Sequence, residues 1–120
     1  MHRRMPLATA IVVVLILIAV LMPGSTLPRG PQIPGFDKIV HFAMFFALAL
    51  AVRFDFRPIG GRRLLVALAV AAAFAAITEL CQLFVPGRSC DVFDLLTDVA
   101  GFVAGLLAQR FAAALAARSS

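Results

Sequence analysis

Residues 79–98 of this 120-residue chain read ELCQLFVPGRSCDVFDLLTD. One glutamate, one glutamine, one arginine and three aspartates gather there, in a chain that is 62% hydrophobic and 14% charged. The Pro-Gly pair in PGRSCD breaks the apolar run, and the loop is short enough to make its flanks an antiparallel helical hairpin. Working outward from this hairpin gives the fold.

Soluble domains average about a quarter charged residues. At a mean hydropathy of +1.02 this chain is expected in a membrane. Its length allows one domain, residues 1–120, with no soluble enzyme domain beside the apolar segments. The net charge of +5 does not point to nucleic acid, because the arginines fall at the ends of apolar runs rather than in a basic patch with interleaved aromatics.

Four stretches have about the 17–25 residues that a bilayer-spanning helix needs. They are residues 6–22, 37–54, 63–85 and 92–114, and predict an all-α four-transmembrane-helix bundle. The first could serve as a secretory signal, but PGSTLPRG offers no clean small-x-small cleavage site, so a retained helix is expected. Residues 23–36, with four prolines and three glycines, form a loop, and RPIGGRR a second, short and basic one. Arg3, Arg4, Arg53, Arg57, Arg62, Arg63, Arg110 and Arg118 fall on one side of the bundle, against Arg29, Lys38 and Arg88 on the other. The positive-inside rule then puts both termini in the cytoplasm and the 23–36 loop outside.

The acids are distributed the opposite way. Of six, only Asp55 lies on the cytoplasmic side, while Asp37, Glu79, Asp91, Asp94 and Asp98 fall toward the outer helix ends. With a rise of about 1.5 Å per residue, Glu79 and Asp98 should lie roughly 9 Å inside their helices. Gln82 and Asp94 are a turn shallower, and His41 is a turn inward from Asp37. Glu79 and Gln82 share a helix face, and so do Asp91, Asp94 and Asp98. That second stripe continues to Gly101 and Gly105, a GxxxG pattern for close helix packing. Acids facing lipid are costly, so an outward-opening polar pocket is expected.

Each polar residue also has a plainer reading. Asp37, Asp91 and Asp94 could be caps or helix-dipole partners. Lys38 and Arg88 could anchor to headgroups, and His41 could be an interfacial histidine without a role. Glu79 and Asp98 are the candidates that resist such treatment. Arg88 could pair with Glu79 or Asp94, or bind an anion. His41, Glu79, Asp94 and Asp98 could form a His/carboxylate metal set, but no HExxH or ExxH pair is present, so no metal and no cofactor is expected. Cys81 and Cys90 are expected to be free thiols.

The run ELCQLFVPGRSCDVFDLLTDVAGFVAG, with DKIVHFAMFFALAL before it, resembles the VanZ-like family of small bacterial membrane proteins. The family pattern is an E-x-x-Q, a Pro/Gly-Arg turn and D-x-x-x-N-x-x-G-x-x-x-G, preceded by D-K-x-x-H-F. The resemblance selects Asp37, Lys38, His41, Glu79, Gln82, Arg88, Asp94, Gly101 and Gly105. Asp98 stands where the family usually has asparagine. The resemblance implies a multi-pass protein of the bacterial cytoplasmic (inner) membrane that meets membrane lipids or a lipid-linked cell-envelope precursor at the outer face. The family's founder is associated with low-level teicoplanin resistance.

Three functions fit these residues. A binding module would use Asp37, Lys38, Gln82, Arg88 and Asp94 on an anionic or glycosylated headgroup. An enzyme would use Glu79 or Asp98 as general acid or base, with His41 as proton partner. A scaffold would use the polar cluster to lock the bundle and GxxxG to pack against a partner, a second copy included. A transporter fits less well, because helix three carries no charge between Arg63 and Glu79.

Overall fold

The computed structural model describes residues 5–23, 35–56, 60–88 and 90–119. These residues form four helices and no strand: α1 (Leu7–Leu21), α2 (Phe36–Asp55), α3 (Arg62–Gln82) and α4 (Val92–Arg118). Most of the expected outer loop, at 24–34, and part of the basic loop, at 57–59, lie outside the described residues, as do Arg3, Arg4, Arg29 and Arg57.

Among the described residues, only α3 and α4 are both long and apolar enough to cross a bilayer. In each, only 22% of the apolar window is buried, far less than in the core helix of a soluble protein. α1 is apolar but has 15 residues, about 22 Å of helix against a hydrocarbon core of about 30 Å. α2 has the length, but Asp37, Lys38, Arg53 and Asp55 load its ends with charge. α3 stops at Gln82 rather than at 85, because Leu83, Phe84 and Val85 each donate three residues back, to Leu80, Cys81 and Gln82, and tighten the chain into a turn. Gly87 completes that turn at a φ of 77°, a left-handed conformation that favours glycine. At its other end α4 runs on to Arg118, four residues past the expected stop.

The residue pairs give the topology. Lys38 meets Asp94, His41 meets Asp98 and the Leu50 carbonyl accepts from Gln109, so α2 and α4 run parallel. Asp55, at the end of α2, accepts from the Thr9 N–H in the first turn of α1 at 2.6 Å, so those two helices are antiparallel. That carboxylate satisfies a donor the helix itself leaves unpaired and faces the positive end of its dipole.

α2 packs on α4 more extensively than any other pair, and glycine is the reason. A Cβ on Gly101 would overlap the Phe42 carbonyl oxygen, and one on Gly105 would lie 2.6 Å from the Ala49 Cβ and 2.8 Å from the Phe46 carbonyl. The GxxxG face is thus consumed inside the chain, by α2, rather than offered to a partner. Ile16, Val20, Phe45, Leu48, Phe102 and Leu106 fill the core beside it. An apolar cavity of about 690 Å³ lies toward the opposite end from the polar residues, bordered by Val13, Val52, Val66 and Phe74, with Thr9, Arg62 and Arg63 at its polar margin.

Candidate functional site

The polar residues of the bundle lie inside it and many large apolar ones lie outside. His41, Thr78, Glu79, Gln82, Asp94 and Asp98 are buried, whereas Leu65, Val70, Ile77 and Leu80 of α3 are more than half exposed. Such an inversion suits a bundle whose surroundings are hydrocarbon.

The buried polar groups meet at the end where α1 and α3 finish and α2 and α4 begin. His41 Nδ1 donates to Asp98 Oδ1 at 2.7 Å, and Glu79 Oε1 stands 3.9 Å from the same nitrogen. On the other side of the ring, Asp94 Oδ2 lies 3.8 Å from Nε2. One imidazole therefore faces carboxylates from two other helices. Each lies where the helical spacing allows: Glu79 and Gln82 on one face of α3, Asp94 and Asp98 on one face of α4. Because α3 ends early, Glu79 sits one turn from its helix end and Asp98 nearly two turns from the start of α4.

Lys38 closes the outer side of this group. Its ammonium donates to Asp94 Oδ1 at 2.9 Å and to Asp91 Oδ2 at 3.0 Å, with the exposed Asp37 farther away at 3.5 Å. Asp91 caps α4 by accepting from the Phe93 N–H at 2.8 Å, while its own N–H donates to Glu79 Oε2 at 3.1 Å. The Lys38 ammonium, helped by the Phe93 N–H, holds the Asp91 carboxyl below the usual carboxylate range. Asp91 thereby joins α2, α3 and α4 in one network. Its position before α4 predicted the cap, but nothing in its spacing indicated the other two bonds.

Arg88 and Gln82 go elsewhere. Arg88 donates through Nε to the Met22 carbonyl at 3.1 Å and through Nη2 to the Ala19 carbonyl at 2.6 Å. Its guanidinium therefore caps the C-terminus of α1, where a cation also complements the helix dipole. Among the described residues no carboxylate pairs with it, so of its possible partners Glu79 and Asp94 are not bonded to it. Gln82 is buried and donates to the Val20 carbonyl at 3.4 Å. Cys81 and Cys90 are both free.

Two oxygens in the group lack a hydrogen-bond partner, Glu79 Oε1 and Asp98 Oδ2. A histidine hydrogen-bonded to one buried carboxylate and facing another can hold or pass a proton, and the open oxygens can accept from a hydroxyl, an amine or water. The large apolar cavity does not border this group, and its lining lacks the groups needed for such chemistry. We place the candidate site at the polar cluster.

The family model described as VanZ/LLP1 matches residues 5–113, a span that contains every residue of the polar cluster. No curated protein matches the chain. No solved structure matches it either.

Proposed function

Because the chain belongs to the VanZ/LLP1 family, we propose that it is a four-span protein of a bacterial cytoplasmic membrane, with both termini inside and the polar cluster at the outer leaflet, where it binds or acts on a lipid-linked envelope component. Family membership and the two helices of spanning length support the membrane part of this reading. α1 and α2 complete the four spans if α1 sits in a locally thinned bilayer and the charged ends of α2 reach the headgroups.

The observation that carries the reading is the pair of unpartnered carboxylate oxygens, Glu79 Oε1 and Asp98 Oδ2, buried beside His41. Orphaned polar atoms are costly in an apolar bundle, and a ligand that donates hydrogen bonds removes the cost. Sugar hydroxyls or an amino group on a lipid-linked precursor have the required chemistry. A bare anionic headgroup fits less well, because Lys38 is already engaged by Asp94 and Asp91 and Arg88 is committed to α1. If the bound component is also transformed, Glu79 and Asp98 are placed to serve as acid and base, with His41 as their proton partner.

The test is native mass spectrometry of lipids that co-purify with the wild type, Glu79→Gln and Asp98→Asn, at matched membrane levels and with melting temperatures compared. A headgroup class retained by the wild type and lost from equally stable variants supports the site. Identical lipid profiles with early-melting variants favour a scaffold, a reading that draws on the bonds by which Lys38, His41 and Asp91 tie three helices together. Teicoplanin susceptibility of a host expressing wild type or Glu79→Gln tests the resistance role, which predicts protection by the wild type alone.

A further inference from the structure

We propose that His41, Glu79 and Asp98 form a binding site for one divalent transition-metal cation of the zinc class. Each residue offers a ligand atom, and these atoms lie within 4.8 Å of one another in the buried cluster. The donors are one imidazole nitrogen and two carboxylate oxygens, each from a different helix.

Glu79 Oε1 and Asp98 Oδ2 are independent signs of a missing ligand. Both are buried without a hydrogen-bond partner, on residues only 3% and 0% exposed. Glu79 Oε1 is aimed at His41 Nδ1 from 3.9 Å. Metal bonds of about 2.0–2.2 Å set neighbouring tetrahedral ligands about 3.4 Å apart. The Glu79 contact must shorten a little to reach that spacing, and the 2.7 Å His41–Asp98 contact must open.

The surroundings suit a cation as well. In the bound state Nδ1 is the ligand and Nε2 carries the ring proton. Asp94 Oδ2 faces Nε2 from 3.8 Å, beyond hydrogen-bond distance, and on closing would accept that proton, so a carboxylate would orient the ligand histidine as it does in many metal sites. Asp91 and Asp94 meet the Lys38 ammonium, while among the described basic groups Glu79 and Asp98 face only the His41 imidazole. A divalent ion offsets that excess of negative charge. Nitrogen and oxygen donors without thiolate fit zinc, manganese or ferrous iron. Three protein ligands leave a tetrahedral ion one open position, as in catalytic rather than structural zinc sites. No two of its ligands share a helix, so the set carries no ligand-pair spacing along the chain. The inference deepens the proposed site and rests on the same two unpartnered oxygens; metal uptake by the stripped protein tests it apart from any lipid.

Metal-stripped full-length protein in detergent is titrated with Co²⁺, whose visible absorption reports coordination, and bound metal is counted by elemental analysis. One Co²⁺ per chain, displaced by Zn²⁺, is expected. Affinity should fall at least tenfold in His41→Gln, Glu79→Gln and Asp98→Asn, and should hold in a Cys81→Ser/Cys90→Ser variant. A wild type that takes up no metal overturns the proposal, as does uptake that survives in the three variants or is lost in the thiol variant. The wild type alone supplies a second readout that does not depend on variant folding: Zn²⁺ should raise its melting temperature and a chelator should reverse the rise. Unchanged melting at saturating Zn²⁺ also overturns it.

Discussion

Lys38 on α2 donates to Asp94 on α4 at 2.9 Å, and Asp94 in turn stands 3.8 Å from the imidazole of His41. The lysine is partly exposed and the aspartate buried, so the pair joins the bundle surface to its polar interior. Lys38→Met should lower the melting temperature by leaving a buried carboxylate unpaired. Adding Asp94→Leu should recover much of the loss. A double-mutant cycle in detergent measures the coupling, and strictly additive effects would contradict a direct interaction.

Gly101→Ala should destabilise the fold by about 1–3 kcal/mol, because the added methyl meets the Phe42 backbone rather than a side chain able to turn away. Gly60→Ala should be close to neutral, since nothing lies within 4 Å of a Cβ at that position. Thermal unfolding of the two variants side by side checks the contrast.

Arg88→Ala should cost about 1–2 kcal/mol through loss of the α1 cap. Arg88→Lys should restore only part, because an ammonium lacks the fork that spans two carbonyls. The lipid profile of Arg88→Lys should match that of the wild type. A lost headgroup class in a stable Arg88→Lys protein would return the arginine to the binding site.

The Asp91 carboxyl is held below its ordinary value by Lys38, so its ionised form stabilises the folded state above about pH 4, and that contribution fades as acid protonates it at still lower pH. Asp91→Asn should therefore lower the melting temperature at neutral pH and make little difference at strong acidity. Melting curves across that range give the comparison.

Much of this arrangement was legible because an apolar chain makes each polar residue conspicuous. Glu79, Asp98 and His41 stood out by depth, and Gly101 and Gly105 by continuing the aspartate stripe. Gly101 and Gly105 close on Phe42, Phe46 and Ala49 of α2, a choice of partner that spacing does not encode. The bonds of Arg88 are illegible for a similar reason: they go to backbone carbonyls, which every helix end offers and no sequence advertises. Asp55 was seen only as the lone acid on its side, and its bond to the Thr9 N–H depends on two helix ends meeting across 46 residues. The early end of α3 follows from three short backbone bonds before the Pro-Gly pair, which local composition does not resolve.

The parallel pairing of α2 with α4 has a consequence for biosynthesis. Chains emerge from the ribosome N-terminus first, so α2 is made well before the helix that receives its lysine, its histidine and the backbone around Phe42. Until Val92 onward has been translated, Lys38 and His41 have none of their α4 carboxylates to meet. The closest helix pair of the bundle therefore forms only after the last helix has been made.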